Sequence, residues 1–281
     1  MNLILYTIFF LLIAFVSIYI HLRRKVTSHI PNNFPNEKNR SLLVKNKKVI
    51  VCFGDSNTHG NVSYDWVSDL INDLPNFQIF NAGLNSDLSF SLLKRVEDVI
   101  DCNPDFITIL IGTNDINAAF AKKSLKRYIS TGKISKSEIP NLTTFEKNLV
   151  KTVEIFQLKT KAKIALMTLP LMGEDLKSEI NKIADTYSEV IEKVSFKYKI
   201  NCLPIRSQQK EYLIKNPSHT PYRFEQYFIL LNKSVLLHYI FGFSWDKISN
   251  LHKTQLSPDF LHQNSKAGKM IKEQVLNWIN K

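Results

Sequence analysis

Two polar segments near opposite ends of the chain contain residues that suit nucleophilic catalysis. Near the start, an apolar run leads into the segment GDSNTHG, whose third residue is Ser56. A serine that leaves a strand through a glycine turn is well placed as a nucleophile, and the backbone N–H groups after it can point at an anion. Near the end, Asp259 and His262 stand three residues apart in the segment SPDFLH. A turn of that spacing lets the carboxylate accept from the imidazole Nδ1–H, which leaves Nε2 free as a base for a serine.

Two further segments offer groups that can stabilise an oxyanion. The segment NAG ends at Gly83, where a glycine lets the backbone approach a substrate closely and donate its N–H. The segment IGTND contains Asn114, whose side-chain amide is another donor. Each segment taken singly is typical of an ordinary turn or helix cap, so the prediction depends on all four together.

In this order and at these positions, GDSN, NAG, GTND and D-x-L-H resemble the four sequence blocks of the SGNH hydrolases, also called the GDSL family of lipases and esterases. The resemblance implies that Ser56 is the nucleophile, His262 the general base and Asp259 the residue that orients His262. It implies an oxyanion hole formed by the N–H groups of Ser56 and Gly83 and by the side chain of Asn114. It also implies a flavodoxin-like three-layer α/β/α sandwich over nearly the whole chain.

The chain departs from the family pattern in three places. Asn57 replaces the leucine that gives the GDSL name. Phe260 stands where a glycine is common between the aspartate and the leucine, and we expect its side chain to narrow the site. Asn85 and Ser86 stand where many members carry a glycine after the second block, which changes the oxyanion loop around Gly83.

The elements that must position these residues alternate along the chain. Apolar runs predict strands at residues 48–53, 77–81, 105–112, 163–170 and 200–205. Amphipathic segments predict helices at residues 64–74, 88–100, 144–161, 179–197 and 265–280. Continuous apolar strands alternating with helices indicate an α/β fold with a mostly parallel sheet covered on both faces. Such sheets form their sites at the carboxyl ends of the strands, which is where the candidate residues occur.

The first residues of the chain predict a membrane anchor. Residues 3–20 form an uncharged, mostly apolar run, which as a helix is long enough to span the hydrocarbon core of a bilayer. The run lacks the basic start and the cleavage site of a signal peptide. We therefore expect a transmembrane anchor over residues 1–25, a linker over 26–46 and an SGNH hydrolase domain over 47–281. Arg23, Arg24 and Lys25 lie just after the run, and they favour a cytoplasmic side for the domain.

Composition excludes several classes of function. The formal charge is +12, but the cations are scattered and are not interleaved with aromatic residues, so we expect a solvated surface and no nucleic-acid partner, with attraction to anionic lipid as the alternative. Cys52, Cys102 and Cys202 have neither a disulfide pattern nor a metal-ligand spacing. The apolar stretch at residues 224–243 predicts a core or lid helix, or alternatively a surface helix that grips acyl chains or the membrane.

These features together predict a membrane-anchored serine hydrolase of the esterase or lipase type. It would cleave carboxylic esters through an acyl-enzyme and need no metal or organic cofactor. A membrane location favours lipid or acylated cell-envelope esters as substrates. An acyltransferase acting on envelope glycans would use the same triad, so it stays open, as does a catalytically inactive, membrane-anchored scaffold protein. The chain has no P-loop and no G-x-G-x-x-G sequence, which argues against a nucleotide-binding protein.

Overall fold

The computed structural model describes residues 2–27 and 29–280. Residues 1, 28 and 281, which belong to the predicted anchor, linker and hydrolase domain, lie outside the described residues. The strands within these ranges are β1 Lys48–Gly54, β2 Phe77–Gly83, β3 Phe106–Leu110, β4 Lys163–Met167 and β5 Asn201–Leu203. The helices are α1 Asn2–Thr27, α2 Glu37–Arg40, α3 Ser56–His59, α4 Trp66–Asp73, α5 Ser89–Leu93, α6 Val96–Ile100, α7 Thr113–Phe120, α8 Lys122–Ser130, α9 Leu142–Lys159, α10 Glu179–Lys197, α11 Ile205–Lys215, α12 Tyr227–Tyr239, α13 Trp245–His252 and α14 Ser265–Ile279, with a 3₁₀ turn at Phe224–Gln226.

The five strands pair in parallel, in the order β2-β1-β3-β4-β5. This is the flavodoxin-like strand order, in which ligands bind beyond the carboxyl ends of the strands near β1 and β3. The predicted α/β fold with a parallel sheet is confirmed.

Alternate residues of β1 face two separate layers of helices. Val49, Val51 and Phe53 pack in a core with α9 and α10, whereas Ile50 and Cys52 pack in a second core with α4 and α14. Both faces of the strand are therefore buried, which explains why the strands read as continuous apolar runs rather than as an alternating pattern.

The helix predicted at residues 88–100 is interrupted by Arg95, which separates α5 from α6. Its guanidinium donates to Asp87 Oδ2 at 2.7 Å, to the carbonyl of Ala82 at 2.7 Å and to the carbonyl of Gly54 at 2.9 Å. These bonds tie the break to the ends of β1 and β2. Tertiary contacts of this kind outweigh the local helix propensity.

The predicted anchor coincides with α1. No helix in the described ranges is both long and apolar enough to cross a membrane, so a transmembrane helix over residues 1–25 is not supported.

The segment predicted as a linker packs against the edge of the sheet. The carbonyl of Asn33 accepts the N–H of Asn81 at 3.2 Å, and the side chain of Asn33 donates to the carbonyl of Ile79 at 3.1 Å. Both partners belong to β2, the outer strand, so this segment covers part of the edge that β2 would otherwise expose.

The apolar stretch at residues 224–243 contains the whole of α12. Tyr227, Leu230 and Val235 are buried in this helix, whereas Ile229 is 67% exposed. One face of α12 therefore packs on the protein and another faces outward.

Candidate active site

Ser56 is the first residue of α3, one residue after the end of the inner strand β1. The carboxylate of Asp55 caps this short helix by accepting the N–H of Asn57 at 2.9 Å. An N–H in the first turn of a helix has no acceptor in a preceding turn. Among the described residues, no group accepts the N–H of Ser56. A nucleophile and a free backbone donor therefore stand at the same position.

Gly83 ends β2 in close contact with α3. A Cβ atom at Gly83 would lie 2.2 Å from the backbone nitrogen of His59, so only glycine lets the two backbones approach this closely. The N–H of Gly83 donates to Asn81 Oδ1 at 3.0 Å. The predicted oxyanion donor is thus already engaged inside the protein, and the geometry gives Gly83 a packing role instead.

Ser86, three residues further along, is better placed as a backbone donor. It lines the same cavity as Ser56, and no described group accepts its N–H. Its φ is 64°, in the left-handed region that favours glycine. This conformation explains why a glycine is common at this position in the family. The replacement of that glycine by Ser86 was the sequence signal from which this backbone donor could have been found.

The C-terminal loop brings the other two predicted residues to Ser56. His262 Nε2 lies 3.0 Å from Ser56 Oγ, and His262 Nδ1 lies 2.7 Å from Asp259 Oδ2. Asp259 is fully buried, and its Oδ1 accepts the backbone N–H groups of Leu261 at 3.0 Å and His262 at 2.8 Å. The three side chains have the arrangement of a nucleophile, a base and the acid that orients the base.

A distant carboxylate holds the loop that leads to Asp259. The buried side chain of Glu174 accepts the backbone N–H groups of Gln255 at 2.7 Å, Leu256 at 2.7 Å and Ser257 at 3.1 Å. Burial raises the pKa of Glu174. Sequence reasoning missed this residue because nothing near Glu174 indicates which loop it contacts.

Phe260 also has a positive φ, of 75°. Its side chain is 1% exposed and packs in the core shared with α9 and α10, and it does not line the cavity beside Ser56. The expectation that Phe260 narrows the site is therefore wrong. The glycine common at this position is explained by the backbone conformation alone.

Asn114 enters the cavity from α7, just beyond β3. Its Nδ2 donates to the carbonyl of Asp87 at 2.9 Å and lies 3.5 Å from Asp55 Oδ2. A contact of 3.5 Å is at the limit of a hydrogen bond, so the second amide hydrogen remains able to serve an oxyanion. The hydroxyl of Tyr128 donates to Asn114 Oδ1 at 2.6 Å. This bond determines which end of the amide is the donor in the cavity.

Two buried carboxyl groups lie near these residues. Burial raises the pKa of Asp55 to about 7 and the pKa of Asp115 to about 7. Hydrogen bonds from Ser89 to Asp115 act in the opposite direction and only partly offset the burial. Both groups therefore hold a proton more readily than an exposed aspartate does.

Ser56 and His262 line a cavity of about 40 Å³. One wall is Val26, at the C-terminal end of α1, whose carbonyl accepts Asn85 Nδ2 at 2.6 Å. The end of α1 is therefore part of the site. Among the described residues, no group of three or more histidine, cysteine or acidic side chains could hold a metal ion.

A match to a protein-family model shows which family the chain belongs to. The GDSL-like lipase/acylhydrolase family matches residues 52–227, which is more than half of the chain and includes Ser56 and Asn114. The chain belongs to this family. The resemblance seen in the sequence is confirmed, and the protein is an enzyme of the GDSL type that acts on ester bonds.

Solved structures share the fold of this GDSL-family chain at low sequence identity. The acetyl xylan esterase AlAXEase is 18% identical with a TM-score of 0.58, over 82% of this chain and 99% of its own. Axe2, an acetylxylan esterase from Geobacillus stearothermophilus, is 17% identical with a TM-score of 0.56, over 85% and 97%. LAE5, an alpha/beta hydrolase from the metagenome of Lake Arreo in Spain, is 17% identical with a TM-score of 0.55, over 82% and 94%. No curated protein matches the chain.

Proposed function

We propose that this protein hydrolyses carboxylic esters with short acyl groups through an acyl-enzyme on Ser56. The observation that carries the proposal is the hydrogen-bonded series from Ser56 Oγ through His262 to the buried carboxylate of Asp259, at 3.0 and 2.7 Å. The site contains every protein group that the remaining steps of ester hydrolysis require.

The geometry supports a two-step reaction. Ser56 Oγ attacks the ester carbonyl while His262 Nε2 takes its proton, and the oxyanion is held by the N–H groups of Ser56 and Ser86 and by Asn114 Nδ2. His262 then returns the proton to the departing alcohol. A water molecule, deprotonated by the same nitrogen, attacks the acyl carbon, and His262 then gives that proton to Ser56 Oγ as the bond to the acyl group breaks and the acid leaves. Asp259 keeps the imidazole in the tautomer that leaves Nε2 free.

The size of the cavity supports a short acyl group. A cavity of about 40 Å³ is far smaller than the ~300–1,000 Å³ of sites that hold drug-sized ligands. It suits an acetyl group, whereas a long fatty acyl chain would have to lie outside the cavity. The names of two structural neighbours, both acetyl xylan esterases, support the same choice.

The other functions considered from the sequence are not favoured. A scaffold protein would have no need of an intact triad, and the three side chains here are in hydrogen-bond contact. Transfer to a glycan hydroxyl instead of water would use the same residues, and no feature of the described site selects it.

The cellular location stays a prediction from the sequence. We infer a membrane-bound protein whose domain faces the cytoplasm from the apolar run at residues 3–20 and the cations after it. Fractionation of cells expressing the full chain tests the location. The proposal requires the protein to stay with membranes after carbonate extraction, and recovery in the supernatant contradicts it.

Activity against 4-nitrophenyl esters with acyl groups of two to eight carbons tests the reaction. We expect the acetate to have the highest kcat/KM. The Ser56→Ala variant should lose on the order of 10⁶-fold in kcat, as loss of a triad serine does. A fluorophosphonate should label Ser56 and no other serine. Ser207→Ala, a change at an exposed serine, is the matched control. Labelling at another residue, or full activity of Ser56→Ala, contradicts the proposal.

A further inference from the structure

We propose that Arg127 forms an anion-binding subsite in the Ser56 cavity, so that the preferred esters carry a carboxylate or a phosphate close to the ester bond. This inference rests on the proposed esterase function and names the class of substrate.

The position of Arg127 is the first observation. It lies on α8, and its side chain lines the cavity together with Ser56, Asn114 and His262. The residue is half-buried. It is therefore close to the place where a substrate must bind, and it is partly removed from the water that would otherwise solvate its charge.

The lack of a carboxylate partner is the second observation. Arg40, Arg95 and Arg206 each form an ion pair with an aspartate, at 3.4, 2.7 and 2.5 Å. Among the described residues, no carboxylate lies within ion-pair distance of Arg127. Its recorded side-chain contact is with the ring of Phe228, 5.5 Å from the guanidinium carbon. A partly desolvated guanidinium in a substrate cavity without a counter-ion favours an anionic ligand.

The rest of the cavity does not neutralise this charge. The remaining lining side chains are aliphatic, amide, hydroxyl or aromatic apart from His262, and none is a carboxylate. The nearby carboxylate of Asp87 is already paired with both Arg95 and Lys133, at 2.7 and 2.8 Å. Helix α8, which carries Arg127, contains no acidic residue. Neither the cavity lining nor the helix of Arg127 therefore supplies a carboxylate to its guanidinium.

The guanidinium suits this role chemically. It presents a planar pair of N–H donors that matches the two oxygens of a carboxylate or phosphate, and it stays charged throughout the pH range of enzyme activity. The two anions share this chemistry, so the substrate arms of the experiment must separate them.

The experiment uses the full chain and two pairs of esters matched except for charge. The carboxylate arm compares 4-acetoxybenzoate with 4-methylphenyl acetate. The phosphate arm compares 1-acetylglycerol 3-phosphate with 1-acetylglycerol. The quantity measured is the ratio of kcat/KM for the anionic ester to kcat/KM for the neutral one, which does not depend on how much of a variant is folded.

We expect Arg127→Gln to lower this ratio by about tenfold or more in at least one arm, the effect of losing one charged hydrogen-bond partner. Arg127→Lys should restore part of the ratio, since it keeps the charge without the planar fork. Lys126→Gln removes the same charge from an exposed position on the same helix and should leave the ratio as in the wild type. The ester pair whose kcat/KM ratio falls in Arg127→Gln identifies which anion the subsite binds.

A ratio unchanged by Arg127→Gln in both arms overturns the subsite. If Ser56-dependent hydrolysis of the neutral esters continues in that case, only the subsite fails. If the wild type hydrolyses none of the four esters and Ser56 resists the fluorophosphonate, the proposed function fails as well.

Discussion

The hydroxyl of Tyr128 donates a 2.6 Å hydrogen bond to Oδ1 of Asn114, and both side chains are buried. Burial raises the pKa of Tyr128, so the hydroxyl keeps its proton and acts as a donor. The bond turns the amide so that its N–H₂ end faces Asp87 and the cavity. Tyr128 is therefore a positioning residue that acts through Asn114.

Tyr128→Phe should lower kcat by about tenfold with little change in KM, because the amide loses the bond that orients it. Asn114→Ala should cost about 10²–10³ in kcat through the lost oxyanion donor. The double variant should be no slower than Asn114→Ala alone, since both changes remove one interaction. Steady-state kinetics with one acetate ester measures all three. Additive losses would show that Tyr128 acts independently of Asn114.

Asp259→Asn should lower kcat by about 10³–10⁴, because the amide can present N–H to Nδ1 and so favour the wrong imidazole tautomer. Stability should also fall, since Asp259 Oδ1 accepts two backbone N–H groups in a fully buried position. Kinetics across a pH series, together with urea unfolding, separates the two effects. If a folded Asp259→Asn variant keeps the wild-type kcat, the catalytic unit is a Ser56–His262 pair.

Gly83→Ala should reduce both stability and kcat, because the new methyl group would lie 2.2 Å from the backbone nitrogen of His59 and push α3 away from the strand. The N–H of residue 83 is retained in this variant, so a loss of activity reflects packing rather than a lost donor. Gly132→Ala serves as the comparison for kcat, since a Cβ there meets no atom within 4 Å and its φ of 71° adds backbone strain without a clash. It should keep kcat per folded molecule. A Gly83→Ala variant with wild-type stability and kcat would remove the packing argument.

The contribution of Asp55 to the free energy of unfolding should fall as the pH rises from about 4 to about 7, whereas His59, whose pKa burial lowers to about 4, contributes in the opposite direction. Burial raises the pKa of Asp55 to about 7 in the folded protein, whereas an unfolded aspartate titrates near ~4. The unfolded state therefore loses its proton first, and stability is lost as the pH rises through the folded pKa. Asp115, with its pKa also raised to about 7, acts in the same direction.

Urea unfolding at several pH values measures this effect. Asp55→Asn should remove the contribution of Asp55 from the slope of stability against pH, while that of Asp115 remains. Glu211→Gln, a change at an exposed carboxylate, should leave the slope as in the wild type. An unchanged slope in Asp55→Asn would show that Asp55 is ionised in the folded protein throughout this range.

The sequence was sufficient for those features that follow from local pattern. Buried parallel strands must be apolar on both faces, so all five strands could be located from apolar runs. The turn at Ser56 and the spacing of Asp259 and His262 could be recognised from the sequence, because each involves only a few consecutive residues. The proximity of the two segments, 206 residues apart, followed only from the family resemblance.

Features that depend on contacts between distant segments were beyond local pattern. The N–H of Gly83 donates to Asn81 Oδ1, and the rotamer of Asn81 is held by hydrogen bonds from its Nδ2 to the carbonyls of Thr58 and His59 on another segment. Arg127 and Tyr128 lie on a helix whose cations resemble an ordinary solvated surface. Their role depends on how α8 packs against α7 and α12. The break at Arg95 likewise depends on carbonyl groups from two strands.

The wall that Val26 contributes to the cavity has a practical consequence for anyone who trims this protein. A truncated variant made to remove the apolar first residues would naturally begin near position 30. Such a fragment would keep the triad but lose Val26 and the backbone carbonyl that Asn85 holds. Its active site would be open on one side, so its preference for acyl length would describe the fragment and not the intact enzyme.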